Sequence, residues 1–218
     1  MDNEQERPAT VTRARFQNLY AENAPWDIGK PQPAFAALAD TVIGSVLDAG
    51  CGTGENALFF AARGHEVTGF DFLEQAIASA KRKAAERGLA ATFLTKDALT
   101  LRDWPAQFDN VIDSGLFHVF SDEDRALYAL GIETVLKRDG HLFLLCFSEQ
   151  TPGTQGPRRV SQDELRSAFS KGWEINSIEP ARFEVRPELR QLIFGGEDPR
   201  AWLLIARRME NQSLHITP

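Results

Sequence analysis

Asp48-Ala49-Gly50-Cys51-Gly52-Thr53-Gly54 is the stretch of this 218-residue sequence with the most chemical content. Glycine at alternate positions lets a turn approach a ligand closely and take positive φ without a Cβ clash. The plain alternative is a sharp strand-to-helix turn that holds nothing. A dinucleotide site would read Gly-x-Gly-x-x-Gly beside a pyrophosphate. Here the spacing is Gly-x-Gly-x-Gly, and Asp48 would repel a pyrophosphate but attract the ammonium of an amino-acid ligand. Asp71, in Gly69-Phe70-Asp71-Phe72, can accept from two ribose hydroxyls, although with Glu74 it also forms a capping-box pattern. Asp97, in Lys96-Asp97-Ala98, can accept from an adenine amino group or be a solvated loop residue. Each of the three aspartates closes a predicted strand, so one ligand joining adenosine to an amino acid could touch all of them.

Positioning such residues requires strands whose carboxyl ends meet. Short apolar runs at 45–49, 66–70, 92–95 and 110–112 predict four strands. Between them, apolar spacing predicts helices over 55–63, stopped by Gly64, and 73–87, stopped by Gly88. A third helix runs from about Asp122 to Lys137, and the very apolar 141–147 reads as a central strand buried on both faces. Ser161 and Glu164 form a capping box for a helix reaching about Lys171. Two last strands are expected at 174–179, extended by 182–185, and at 201–207; their short polar connection shows little helical pattern. The fold class is therefore α/β: a seven-stranded doubly wound, Rossmann-like sheet, mostly parallel with an antiparallel final strand. Ligands of such sheets bind beyond the carboxyl ends of the strands, where strand order reverses.

Upstream, a helix at 13–23 leads into a Pro- and Gly-bearing loop at 24–33 and a second helix near Ala34. The expected organisation is a helical extension with a lid loop over 1–40, a ligand-binding domain over 41–210 and a flexible tail over 211–218. A net charge of −7 argues against a nucleic-acid partner. No run approaches the roughly 20 apolar residues of a membrane span. Cys51 and Cys146 form neither a metal-ligand spacing nor a disulfide framework, which suits a reducing cytoplasm. The sequence carries no signal for oligomeric state.

The Asp48–Gly54 motif in its strand–turn–helix context resembles the first motif of the class I S-adenosylmethionine-dependent methyltransferases, and the likeness covers roughly 45–208. The resemblance implies S-adenosylmethionine as cofactor. Gly50 and Gly52 would line its binding turn, Asp71 and Phe72 its ribose and Asp97 and Ala98 its adenine. Phe108-Asp109-Asn110-Val111-Ile112-Asp113-Ser114 resembles the family's fourth-strand motif, which would bring Asp113 and Ser114 to the methionine end. Leu136-Lys137-Arg138-Asp139-Gly140 is similar to the family's Leu-Lys-Pro-Gly-Gly turn, with Arg138-Asp139 replacing Pro-Gly. Pro25-Trp26-Asp27-Ile28-Gly29-Lys30-Pro31-Gln32-Pro33 resembles the segment before the core in thiopurine-like and halide/thiol-type enzymes, closest to a bacterial branch that methylates heterocyclic toxins. By that likeness Trp26 covers the methionine end as part of a lid. Tyr20 stands nearest to where thiopurine-type enzymes carry a second tryptophan.

The resemblance makes the partner a small-molecule methyl acceptor, an oxygen, sulfur or nitrogen nucleophile of a heteroaromatic or thiol-type compound. Tyr20, Phe117 and His118 are candidates to contact it, with Phe120 and Phe147 as further aromatic walls. His118 is the histidine placed near the methyl group, as base, hydrogen-bond partner or support; no catalytic dyad is evident. No metal is called for. An NAD(P)-dependent oxidoreductase and a regulatory protein that binds the cofactor without chemistry are the competing readings.

Overall fold

The computed structural model describes residues 13–21, 24–154 and 156–210. The expectations for 1–12 and for the 211–218 tail lie outside them. Two helices come first, α1 (Arg13–Ala21) and α2 (Pro33–Ala36). Then β1 (Val46–Ala49) runs through the Gly50–Gly54 turn into α3 (Glu55–Ala61), and β2 (Val67–Asp71) leads to α4 (Glu74–Arg87). After β3 (Thr92–Thr95) comes a 3-10 helix, Ala98–Asp103, then β4 (Phe108–Ser114) and a short 3-10 turn, Phe117–Val119. The chain finishes with α5 (Asp122–Val135), β5 (Leu136–Phe147), α6 (Gln162–Ala168), β6 (Trp173–Arg182), α7 (Pro187–Phe194) and β7 (Arg200–Arg208).

The seven strands form one sheet in the order β3-β2-β1-β4-β5-β7-β6. β3 through β5 are parallel, and β7 runs antiparallel to both neighbours. Strand order reverses between β1 and β4, and their carboxyl ends open the crevice that such a reversal creates. Alternation along β5 shows how the sheet is covered: Leu142, Leu144 and Cys146 face a core built with Tyr128 and Ile132 of α5 and Leu165 of α6. Phe143, Leu145 and Phe147 face the opposite core, with Phe35 of α2, Phe60 of α3 and Ile77 of α4. Residues 142–147 are all buried, which is why this run reads as continuously apolar.

Three expectations need correction. α5 stops at Val135, because Leu136 is already extended and opens β5. Asp139, where the family pattern has glycine, takes φ +60, a conformation aspartate tolerates better than most residues, inside β5 where its pairing with β4 shifts register. The β6–β7 connection is not irregular: it contains α7, with Pro187 in its first turn and Gly195 in the left-handed conformation at its end. Finally, Asp71 caps nothing by way of Glu74; the N-cap of α4 is Leu73, which has no side-chain hydrogen bond.

Candidate functional site

The turn after β1 is built so that backbone, not side chain, faces the crevice. Gly50, Gly52 and Gly54 all have positive φ. A Cβ on Gly52 would stand 2.5 Å from the Tyr20 hydroxyl, and one on Gly54 would stand 2.9 Å from Ala80 of α4. Alanine is strained by conformation at both places; at Gly54 it would also press on Ala80, and at Gly52 the tip of Tyr20 would have to shift. Beyond the turn, Thr53 Oγ1 donates to Asp27 Oδ1 (3.0 Å), and Lys83 Nζ donates to Thr53 Oγ1 (2.7 Å). Lys83 and Arg87 also pair with the buried Glu55, at 2.8 Å each. Burial opposes ionisation of Glu55, but the two cations outweigh it and hold the carboxyl below its ordinary range. This network fastens the loop that carries Trp26 onto the glycine turn.

Three aspartates approach the turn from the strand ends, and each is held differently. Asp71 accepts from Gly52 N with Oδ2 (3.1 Å) and from Leu73 N with Oδ1 (2.9 Å), and it lines the cavity above. Asp48 is fully buried beneath the turn, where Oδ2 accepts from Ala57 N at 3.0 Å. Its Oδ1 is the one buried side-chain oxygen among the described residues that lacks a hydrogen-bond partner. Burial pushes Asp48 up to about 8, against the Ala57 bond and with help from the charges of Asp113 and Asp71. Asp113 accepts from Leu116 N (2.7 Å), Phe117 N (3.0 Å) and the Tyr128 hydroxyl (2.9 Å). Burial nevertheless pushes it up to about 7. An unpartnered buried carboxylate oxygen within a cluster of acids favours a cationic ligand over this turn.

Above the strand ends lies a cavity of about 810 Å³. Its floor and one side are the glycine turn, Phe70–Phe72, Thr95–Leu99 and Ser114. The other side is apolar, with Leu116, Phe120, Phe147, Phe183, Val185, Ile193 and Phe194, and His118 among them. The roof is Phe16, Tyr20 and Trp26. Trp26 meets Phe16 and Tyr20 edge to face at 5.7 Å, and its Nε1 donates to the Tyr20 hydroxyl at 3.2 Å. The roof is joined to the apolar side by Gln32, which is 3% exposed. Its Nε2 donates to Glu184 O and its Oε1 accepts from Glu184 N, both at 2.9 Å, while Arg186 N donates to Pro25 O at 2.9 Å.

Residues 46–140 match the methyltransferase domain family. Across 213 residues the chain is 36% identical to the 2-heptyl-1-hydroxyquinolin-4(1H)-one methyltransferase of Mycobacteroides abscessus, covering 90% of this chain and 94% of that one. The chain belongs to the S-adenosylmethionine-dependent methyltransferases. A probable thiol methyltransferase of Arabidopsis thaliana is 32% identical, with 81% of this chain and 86% of the relative covered. A solved structure from work on the conversion of a disulfide bond into a thioacetal group during echinomycin biosynthesis superposes with a TM-score of 0.76. It is 35% identical, over 89% of this chain and 92% of the other. The enzyme therefore uses S-adenosylmethionine as its methyl donor, and the oxidoreductase and non-catalytic readings are not favoured.

Of the residues singled out in the methyltransferase sequence, Trp26, Gly50, Gly52, Asp71, Phe72, Asp97, Ala98, Ser114, Tyr20 and His118 line this one cavity. Asp97 also caps the 3-10 helix, accepting from Leu99 N at 2.9 Å. Asp113, Asp48 and Phe117 do not line the cavity. Asp113 is not part of the cavity wall, because its carboxylate is consumed in shaping the turn after β4. Asp48 lies under the turn rather than in the wall. Phe117 points into the core, against Phe169 and under the Arg125 guanidinium. Gln32 stands within the Trp26 motif but was given no role of its own, and Phe183, Val185, Ile193 and Phe194 of the methyltransferase cavity were missed. Pro187 and Gly195 flanking an apolar Leu189, Leu192 and Ile193 spacing were the available signal for α7.

Proposed function

We propose that the enzyme methylates a planar, apolar small molecule bearing an acidic N-hydroxyl, phenol or thiol, bound between the aromatic roof and the wall formed by Phe147, Phe183 and Phe194. The observation that carries this is the cluster of Phe147, Phe183 and Phe194 in the cavity lining, packed ring to ring, with the His118 imidazole against it and Gln32 in the same lining. Relatives named for a hydroxyquinolinone and for a thiol add support. On this reading Asp71 and Phe72 hold the ribose, Asp97 and Ala98 the adenine, and Gly50, Gly52 and Ser114 the amino-acid end. Asp48 lies beneath, where the positive charge of the bound cofactor favours its ionised form.

When bound, S-adenosylmethionine supplies a methyl group on a cationic sulfur. The chain's residues align and dehydrate the reaction: Trp26 and Tyr20 close the roof, and the phenylalanine wall fixes the ring plane, so attack runs in line with the bond that breaks. An acceptor with a pKa near neutrality needs little help in losing its proton; even a simple thiol ionises near about 8.5. The loop carrying Trp26, within the 1–40 extension, serves as the lid, and the enzyme works in the cytoplasm, consistent with free, buried Cys51 and Cys146. The net charge of −7 argues against a nucleic-acid partner.

Radiolabelled methyl transfer from S-adenosylmethionine tests the proposal, with 2-heptyl-1-hydroxyquinolin-4(1H)-one, thiophenol and an aliphatic alcohol as acceptors. Label should enter the first two and not the alcohol. Transfer to none of the acidic compounds, with cofactor binding intact, overturns the acceptor class.

A further inference from the structure

His118 sits in the apolar half of the cavity with its two ring nitrogens in unlike settings. Nδ1 faces the backbone of β5 and accepts a hydrogen bond from Phe147 N at 3.0 Å. A nitrogen that accepts from an N–H carries no proton, so the ring is the tautomer with hydrogen on Nε2. Protonating Nδ1 would set two N–H groups against each other. Nε2 has no partner among the described residues; it lies over the chain just past β4, where a Cβ on Gly115 would come within 3.1 Å. Phe147 and Phe183 hold the ring at 5.1 and 5.9 Å between centroids. The charges acting on it, Arg125 of α5 and Arg159 of the segment before α6, are both cations, and with burial they push the imidazole down to about 3.

We infer that His118 is a fixed neutral donor whose Nε2–H holds the acceptor's nucleophilic atom as an already formed anion, and that the chain supplies no base. This rests on the acceptor class proposed above. The other candidate bases are already engaged. Asp71 and Asp97 accept from backbone N–H groups, Asp27 from Thr53, and Glu55 pairs with Lys83 and Arg87. The Tyr20 hydroxyl, buried and near Asp71, is pushed well above its ordinary value and accepts from Trp26. In the transfer, a bond forms from the acceptor anion to the methyl carbon as the sulfur–methyl bond breaks. The bonding pair stays on sulfur, and the acceptor's proton has left for solvent before the step.

Two substitutions separate the halves of the ring. His118→Asn places an amide oxygen near Nδ1 and keeps an acceptor for Phe147 N–H while deleting the donor; His118→Gln does the reverse. With 2-heptyl-1-hydroxyquinolin-4(1H)-one and ring-substituted thiophenols of graded pKa, the midpoint of kcat/KM against pH should follow the acceptor. His118→Asn should lower kcat/KM about 10- to 150-fold, the range for a hydrogen bond to a charged partner, and His118→Gln less. Nitrogen-15 NMR of the ring, with S-adenosylhomocysteine present, should show the neutral Nε2–H tautomer from about pH 5 to 8. A midpoint fixed across acceptors, full activity in His118→Asn, or a ring that protonates near pH 6 would overturn the inference. If no acceptor reacts with the wild type, the acceptor class fails while the nitrogen spectrum still decides the state of His118.

Discussion

Asp71 accepts two backbone N–H groups, one from the glycine turn and one from the start of α4, so its carboxylate both shapes the site and faces into it. Asp71→Ala should weaken S-adenosylhomocysteine binding about 10- to 150-fold, measured by titration calorimetry. Asp71→Asn, which keeps one acceptor oxygen, should recover part of that loss; full affinity in the alanine variant would remove the cofactor role. In the sequence, Asp48, Asp71 and Asp113 were alike: acidic residues at or near strand ends. What separates them is where nearby donors stand. Ala57 N claims one oxygen of Asp48 from below, and Tyr128, fifteen residues downstream on α5, reaches Asp113. A partner that arrives through helix packing leaves no local pattern. His118 shows the same limit, since its tautomer is set by Phe147 N on a separate strand.

Among the elements, the roof loop and α7 are joined by Gln32, which satisfies both backbone groups of Glu184, and by the Arg186–Pro25 bond. They should therefore open together. Gln32→Ala removes two hydrogen bonds worth about 1–3 kcal/mol in all. Hydrogen exchange should then speed up in 25–36 and in 183–194 alike, with β1, β4 and β5 unchanged. Acceleration in only one of the two segments would show that they move separately. The helices and strands of the parallel half were legible because each is long enough to show its period and its stop. α7 was not: it has no buried residue, charges flank it, and eight residues give little periodicity. Ile193 and Phe194 line the cavity, and Phe194 meets the core only part-buried, so the usual burial signal is weak.

At the scale of the whole molecule, buried acids under the site tie stability to pH. Asp48 near about 8 and Asp113 near about 7 keep protons that the unfolded chain releases near about 4. Their contribution is full below about pH 4 and is lost as pH rises through those values. His118, lowered to about 3 from 6.5, has the opposite sign, its contribution growing as pH rises through that interval and constant above it. From about pH 6.5 to 8 the ligand-free enzyme should thus lose stability, by at most about 1.4 kcal/mol per pH unit for each acid. Urea midpoints across that window would show it, and Asp48→Asn should flatten the slope; a midpoint that rises with pH would contradict the buried-acid account. The sequence by itself determined the doubly wound sheet and the glycine turn, because period, stop residues and backbone freedom are local properties; the likeness of that turn to a known family's first motif implied the cofactor. The tertiary structure decided which carboxylates face the cavity, which nitrogen of His118 is free, and that α7 and Gln32 complete the acceptor side. Those depend on contacts between segments far apart in the chain, and only packing brings them together.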